Sequence, residues 1–189
     1  MKKPNTKWLP LFATNFLGVL NDNFLKNLIA FVGIMWLTSE ENKSLVISLA
    51  SAMMVLPYIL FSPIAGRVSK RYPKAKIIKI TKITEIPIML LAAIGFYYHN
   101  LATVMTAMFF MGLQSCMYSP AKYGIIRDIG GKEGISFGTG TMEMLTFTAV
   151  LIGTYLAGTI SDIINYPQFV HHQASIIAGL FFVIPYIRN

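Results

Sequence analysis

Apolar residues run along this chain in stretches of membrane length, separated by short polar or basic segments. The stretches lie at about 8–37, 45–66, 77–98, 101–119, 136–160 and 169–187. At about 1.5 Å of rise per residue, each can cross a hydrocarbon core about 30 Å thick as a helix. Backbone N–H and C=O groups in lipid must pair within the segment, so the stretches predict helices rather than isolated strands. Pro57, Pro63 and Pro87 fall inside them, where a helix bundle tolerates kinks. Pro120 and Gly124 are expected to break the fourth helix. Two of the intervening segments, Thr38–Ser44 and Ser161–Gln168, are short, and His99-Asn100 is shorter still, so successive helices are expected to be antiparallel neighbours. The pattern therefore predicts an all-α, polytopic membrane protein: six transmembrane helices in a single domain over residues 1–189.

Composition agrees with that pattern. Hydrophobic residues make up 54% of the chain and charged residues 13%, against about 25% charged in ordinary globular domains. The net charge of +8 would suit a nucleic-acid binder, but its distribution points elsewhere. All but two of the 16 lysines and arginines, Lys26 and Lys43, fall in segments on one side of a six-helix topology. The positive-inside rule then places both termini of a multi-pass membrane protein in the cytoplasm, with the bilayer rather than nucleic acid as its partner. Met1-Lys2-Lys3 followed by Trp8–Leu20 has the look of a signal sequence. No A-x-A cleavage pattern follows, so an uncleaved first helix is expected. The single cysteine, Cys116, leaves no internal disulfide and no cysteine-rich metal site.

Polar groups inside the apolar stretches carry the functional signal. The first stretch holds Asn15, Asn21, Asp22, Asn23 and Lys26, with Asp22 at its midpoint. Placing a carboxylate there costs several kcal/mol on the order of the insertion scales, and a solute or ion path is the usual reason. Spacings of seven and four put Asn15, Asp22 and Lys26 on one helix face, and Asp22 with Lys26 is expected to form an i,i+4 ion pair. A structural ion pair that fixes helix contacts is the alternative reading. In the third stretch Lys82 is expected to snorkel to the cytoplasmic interface. Glu85 is expected to pair with Lys82 or to hold the third helix against the second. In the fifth, Glu143 lacks a lysine or arginine at three or four residues, which suits a transported ion or a proton. Gly153 and Ala157 form a small-xxx-small packing pair. Gln114 belongs to the same interior, and Lys122 and Tyr123 to an interface anchor or cytoplasmic gate. No Walker or H-E-x-x-H motif is present, and His171-His172 lacks helical ligand spacing, so neither an enzyme nor a metal site is expected.

Phe16-Leu17-Gly18 before the first polar cluster is echoed by Phe110-Met111-Gly112 before Gln114-Ser115, which fits two inverted three-helix repeats. With Tyr118-Ser119-Pro120-Ala121-Lys122-Tyr123-Gly124-Ile125, Gly140-Thr141-Met142-Glu143 and Leu151-Ile152-Gly153-Thr154, these residues resemble the N-terminal six-helix half of a major facilitator superfamily transporter. The likeness is greatest to the bacterial lysophospholipid transporter group, some of whose members are fused to a 2-acylglycerophosphoethanolamine acyltransferase. The resemblance implies inward movement of lysophospholipid across the inner membrane. It implies that Asp22 and Glu143 belong to a central polar path and that Lys122 lies at its cytoplasmic end. It also points to a gate at Gly66, Arg67 and Arg71, in a loop that usually reads Gly-x-x-x-Asp-Arg. Here Lys70 stands in place of the acid.

The expected mechanism is that of a transporter half. Its head-group cavity would lie among the first, fourth and fifth helices, rocking against a missing C-terminal six-helix half or a second copy of this chain. The substrate would be amphipathic; no cofactor is expected beyond a coupling ion, proton or sodium. The alternatives are a drug or small-metabolite exporter and a non-transporting scaffold or truncated product.

Overall fold

The computed structural model describes residues 8–36 and 40–165. Every regular element among them is helical. Helix α1 spans Trp8–Val32 and closes in a 3-10 turn at Gly33–Trp36. Helix α2 spans Glu40–Arg71, α3 spans Lys74–Tyr97, and α4 spans Leu101–Asn165. The sixth expected helix, at 169–187, lies outside the described residues.

Helices α2 and α3 extend past the apolar stretches into their charged ends. Pro57, Pro63 and Pro87 lie inside them, as the pattern predicted. The expected break at Pro120 and Gly124 does not occur. Helix α4 runs through both, and the chain turns instead at Gly131, whose φ of 59° is left-handed backbone that glycine adopts without a Cβ clash. Gly124 serves packing, because a Cβ there would lie 2.5 Å from Cε of Lys74. The expected fourth and fifth helices are thus the two arms of α4, 101–130 and 132–165. The turn between α3 and α4 is as short as predicted. Asn100 caps the first arm, its Oδ1 accepting the Thr103 N–H at 3.1 Å.

Two of the described helical segments, Asn42–Arg71 and Leu101–Ser161, are long and apolar enough by themselves to cross a membrane. Helix α1 carries Asn15, Asn21, Asp22, Asn23 and Lys26, and α3 carries Lys74, Lys76, Lys79, Lys82 and Glu85. Those polar and charged groups lower the hydropathy of α1 and α3; Asn15, Asn21, Asp22 and Glu85 among them are buried, whereas Lys76 and Lys79 are exposed at the basic end. The outward faces tell the same story as the apolar pattern. Ile59 is 70% exposed, Leu151 71% and Tyr155 73%, more apolar surface than water tolerates on a monomer.

Inside, apolar packing forms two separate clusters. The larger joins Phe24, Leu25, Leu28 and Ile29 of α1 to Met89 and Phe96 of α3 and to Val104, Met108 and Met111 of α4. The smaller joins Leu11, Ile126 and Met142 nearer the basic end. Between them α1 offers Asn15 to Asp22, α3 offers Thr81 to Glu85, and α4 offers Gln114 to Lys122. A polar layer is therefore sandwiched between two dry ones.

Close backbone approach sets this register. Gly112 of α4 lies against the backbone of Met54 of α2, and Gly153 lies against α1, where a Cβ would sit 2.7 Å from the Leu20 carbonyl oxygen. The second contact gives the Gly153–Ala157 pair its packing role, with Ala157 fully buried. Gly153→Ala is expected to lower unfolding stability by about 1–3 kcal/mol through overpacking against rigid backbone. Gly140→Ala, at a position with open space beyond its Cα, should be neutral or stabilising by up to about 1 kcal/mol. Thermal unfolding of the detergent-solubilised variants measures both.

Candidate functional site

The polar layer splits into a closed half and an open half. The closed half centres on Glu85, which is fully buried. Its Oε1 accepts from Nδ2 of Asn21 at 3.0 Å. Its Oε2 accepts from Nζ of Lys82 at 2.7 Å and from Nε2 of Gln114 at 3.2 Å. Nε2 of Gln114 also donates to the Thr81 carbonyl at 3.1 Å. Three donors from three helices engage both oxygens of this carboxylate, so it acts as a bolt joining α1, α3 and the first arm of α4. The expected Lys82–Glu85 pair forms, but it holds α3 to α1 and α4 rather than to α2.

The open half centres on Asp22. Its Oδ2 accepts from Oγ of Ser115 at 2.7 Å, while its Oδ1 is buried without a hydrogen-bond partner. The Oδ1 of Asn15 and the hydroxyl of Tyr118 are buried and unpartnered in the same way. All three residues line one cavity of about 90 Å³. Its wall is completed by Gly18 and Val19 of α1, Tyr58 of α2, Lys82 of α3, and Gln114, Ser115, Ser119 and Lys122 of α4. An unmet buried acceptor costs about 1–3 kcal/mol. Three residues that carry such unpaired atoms, two acceptors and a hydroxyl, on the wall of one small space mark a place suited to a polar group.

Several expectations change here. Asp22 and Lys26 do not pair: Lys26 makes no ion pair among the described residues, and the cation near Asp22 is Lys82. The i,i+4 spacing allowed the first pair, but in the fold Asp22 is turned toward Ser115 on the facing helix and the cavity that Lys82 also lines. Lys82 does not snorkel outward. Its side chain is 15% exposed, and its ammonium lies 5.2 Å from the Tyr118 ring centroid. It occupies the space that Gly18 leaves open, where a Cβ would collide with Nζ.

Glu143 stands apart from this cavity. It accepts from the Tyr123 hydroxyl at 2.7 Å, and Lys122 lies within electrostatic reach of it. The fifth helical segment contributes only indirectly, through Thr146, whose Oγ1 accepts from Nδ2 of Asn15 at 3.0 Å. The cavity thus belongs to the first four helical segments rather than to the first, fourth and fifth.

The remaining sequence-chosen residues scatter. Asn21 and Gln114 serve the Glu85 bolt. Asn23 bonds back to the Val19 carbonyl at 2.9 Å and packs beside Gly153. Lys122 lines the cavity, 4.8 Å from the Tyr123 ring centroid. Gly66 meets open space, and Arg67 and Arg71 are exposed at the end of α2, with no ion pair among the described residues. Lys82, Ser115, Tyr118, Tyr58 and Ser119 were not singled out as site residues. A signal for Ser115 and Tyr118 lay in the Gln114–Ser119 run, whose polar residues recur within an apolar helix.

The two carboxylates should respond differently to neutralisation. Glu85→Gln leaves the Lys82 ammonium buried without its counter-charge, and is expected to cost about 3–5 kcal/mol of unfolding stability. Asp22→Asn keeps an acceptor for Ser115 and should cost much less. Parallel thermal unfolding of the two variants measures the difference; equal losses would contradict the division into bolt and open site.

Comparison with known proteins adds an independent observation. The family described as Major Facilitator Superfamily matches residues 11–188. The lysophospholipid transporter LplT of Enterobacter sp. (strain 638) is 26% identical over 150 residues, covering 79% of this chain and 35% of the relative. The protein of the same name from Serratia proteamaculans (strain 568) is 25% identical over 157 residues, covering 81% and 38%. That from Photorhabdus laumondii subsp. laumondii is 29% identical over 111 residues, covering 58% and 26%. The chain spans about a third of the length of the curated relatives it matches.

Proposed function

Because this chain belongs to the Major Facilitator Superfamily, we propose that it is the N-terminal six-helix half of a transporter that moves lysophospholipid across the bacterial inner membrane. In this reading the basic end faces the cytoplasm and two inverted three-helix repeats build the half. A second half, in the same protein or from another copy, closes the path. The work is transport rather than bond chemistry.

The observation that carries the proposal is the unpartnered Oδ1 of Asp22, open to a polar cavity between dry layers. A carboxylate oxygen beside the Asn15 carbonyl oxygen offers acceptors to a cationic group. The ammonium of an ethanolamine head group fits that chemistry, as does a coupling cation. Lys122, on the same cavity wall, offers a donor to the head-group phosphate. The acyl tail needs no polar partner and stays in the apolar surroundings. Lys82, held by Glu85 at 2.7 Å, stands on the same cavity wall and faces the head group in this reading.

Uptake of labelled lysophosphatidylethanolamine by vesicles containing the complete transporter tests this. Asp22→Asn is expected to lower uptake by about 10- to 100-fold, the loss of one charge-assisted contact, with membrane insertion intact. Undiminished uptake would remove Asp22 from the path. Uptake of other solutes that lysolipid does not compete with would make the protein a small-metabolite exporter instead.

A further inference from the structure

On the opposite side of Gln114 from the Asp22 cavity lies a much larger depression, of about 530 Å³, between the end of α2, the face of α3 and the first arm of α4. We propose that this groove is a binding site for an anionic diacyl phospholipid of the leaflet at the basic end, separate from the transport cavity.

Three observations support that occupant. The first is polarity along the groove. Its walls are apolar for most of their length, with Ile80, Ile88, Phe110 and Met117 among them, and the one charged side chain in its lining is Lys76 at the basic end, beside Tyr72. A tyrosine and a lysine together at one end of an apolar trough match the head-group level of a bilayer. The second is length. From Lys76 to Ile88, α3 rises about 18 Å, close to the depth of one leaflet of a core about 30 Å thick. An acyl chain whose head group rests at Lys76 runs the whole groove without crossing into the other leaflet.

The third observation is charge. Lys76 makes no ion pair among the described residues, and neither do the neighbouring Arg71 and Lys79. The nearby Asp128 is taken by Lys74 at 2.7 Å. The mouth therefore presents uncompensated positive charge, which favours a phosphatidylglycerol-like head group over a zwitterionic one. The floor is shared with the polar layer. Gln114 and Thr81 line the groove, and Gln114 also lines the Asp22 cavity and bonds Glu85. A seated lipid therefore rests against one wall of the transport cavity, one side chain thick.

Tryptophan quenching by brominated lipid tests the site without any transport assay. Phe110→Trp and Ile80→Trp place reporters at groove positions that are 43% and 50% exposed, so either can serve if the other variant folds poorly. Each is measured in nanodiscs of phosphatidylcholine doped with brominated phosphatidylglycerol or, separately, with brominated phosphatidylcholine. The unsubstituted protein gives the background from Trp8 and Trp36. The expected result is half-maximal quenching at about fivefold lower mole fraction of phosphatidylglycerol, and loss of that preference in Lys76→Gln. Equal quenching by the two lipids would reduce the groove to ordinary lipid-facing surface. No quenching by either would mean that protein fills it, from this chain, a second copy or a partner half. A preference that survives Lys76→Gln would place the head group elsewhere. Each of those three results overturns the proposal.

Discussion

The pairing of Glu85 with Lys82 is the interaction on which this molecule depends. Two opposite charges in the middle of a helix bundle are tolerated when they pair closely and neighbouring groups add hydrogen bonds. Here the carboxylate receives hydrogen bonds from α1, α3 and α4 at once. That convergence fixes the rotation of three helices about their axes. It also presents Asp22 to Ser115 rather than to lipid, and keeps a second ammonium, beside that of Lys122, on the wall of the cavity.

The division of labour between two carboxylates follows from their surroundings. Glu85 has both oxygens engaged by hydrogen bonds and lines neither cavity. Asp22 keeps one oxygen in reserve, facing a space shared with Asn15 and Tyr118. The dry clusters above and below make this economical, since apolar packing carries the bundle and leaves one thin layer for polar chemistry. Gly18 belongs to the same logic: the absence of a Cβ is what lets the Lys82 ammonium lie against α1.

Much of this was legible in the sequence, and the failures share a cause. Apolar stretches of membrane length predicted the described helices, and the depth of Asp22 pointed to the polar layer that lies between the two apolar clusters. Pairing within one helix was less secure. The Lys82–Glu85 pair was readable from its spacing of three, yet the equally plausible Asp22–Lys26 spacing of four led to the wrong partner. Local spacing shows which groups can meet and says nothing about groups on facing helices, here Ser115 and Lys82. The break near Pro120 failed for a similar reason. Proline in a packed helix is accommodated by its neighbours, whereas Gly131 turns the chain where a left-handed residue is required. Glu143 looked solitary because only its own helix was considered; Tyr123 reaches it from the other arm of α4.

The central claim is that the space around Asp22 is a wet, ligand-accepting cavity inside the bundle. Thiol accessibility at Val19, on the same wall, tests it most directly. In a Cys116→Ser background, Val19→Cys in the assembled protein is expected to react with a charged, membrane-impermeant thiol reagent, and lysophosphatidylethanolamine should slow that reaction. A cysteine there that resists the charged reagent, while reacting with a lipid-soluble one at the rate of an outward-facing Ile59→Cys control, would place this wall against acyl chains and contradict the account.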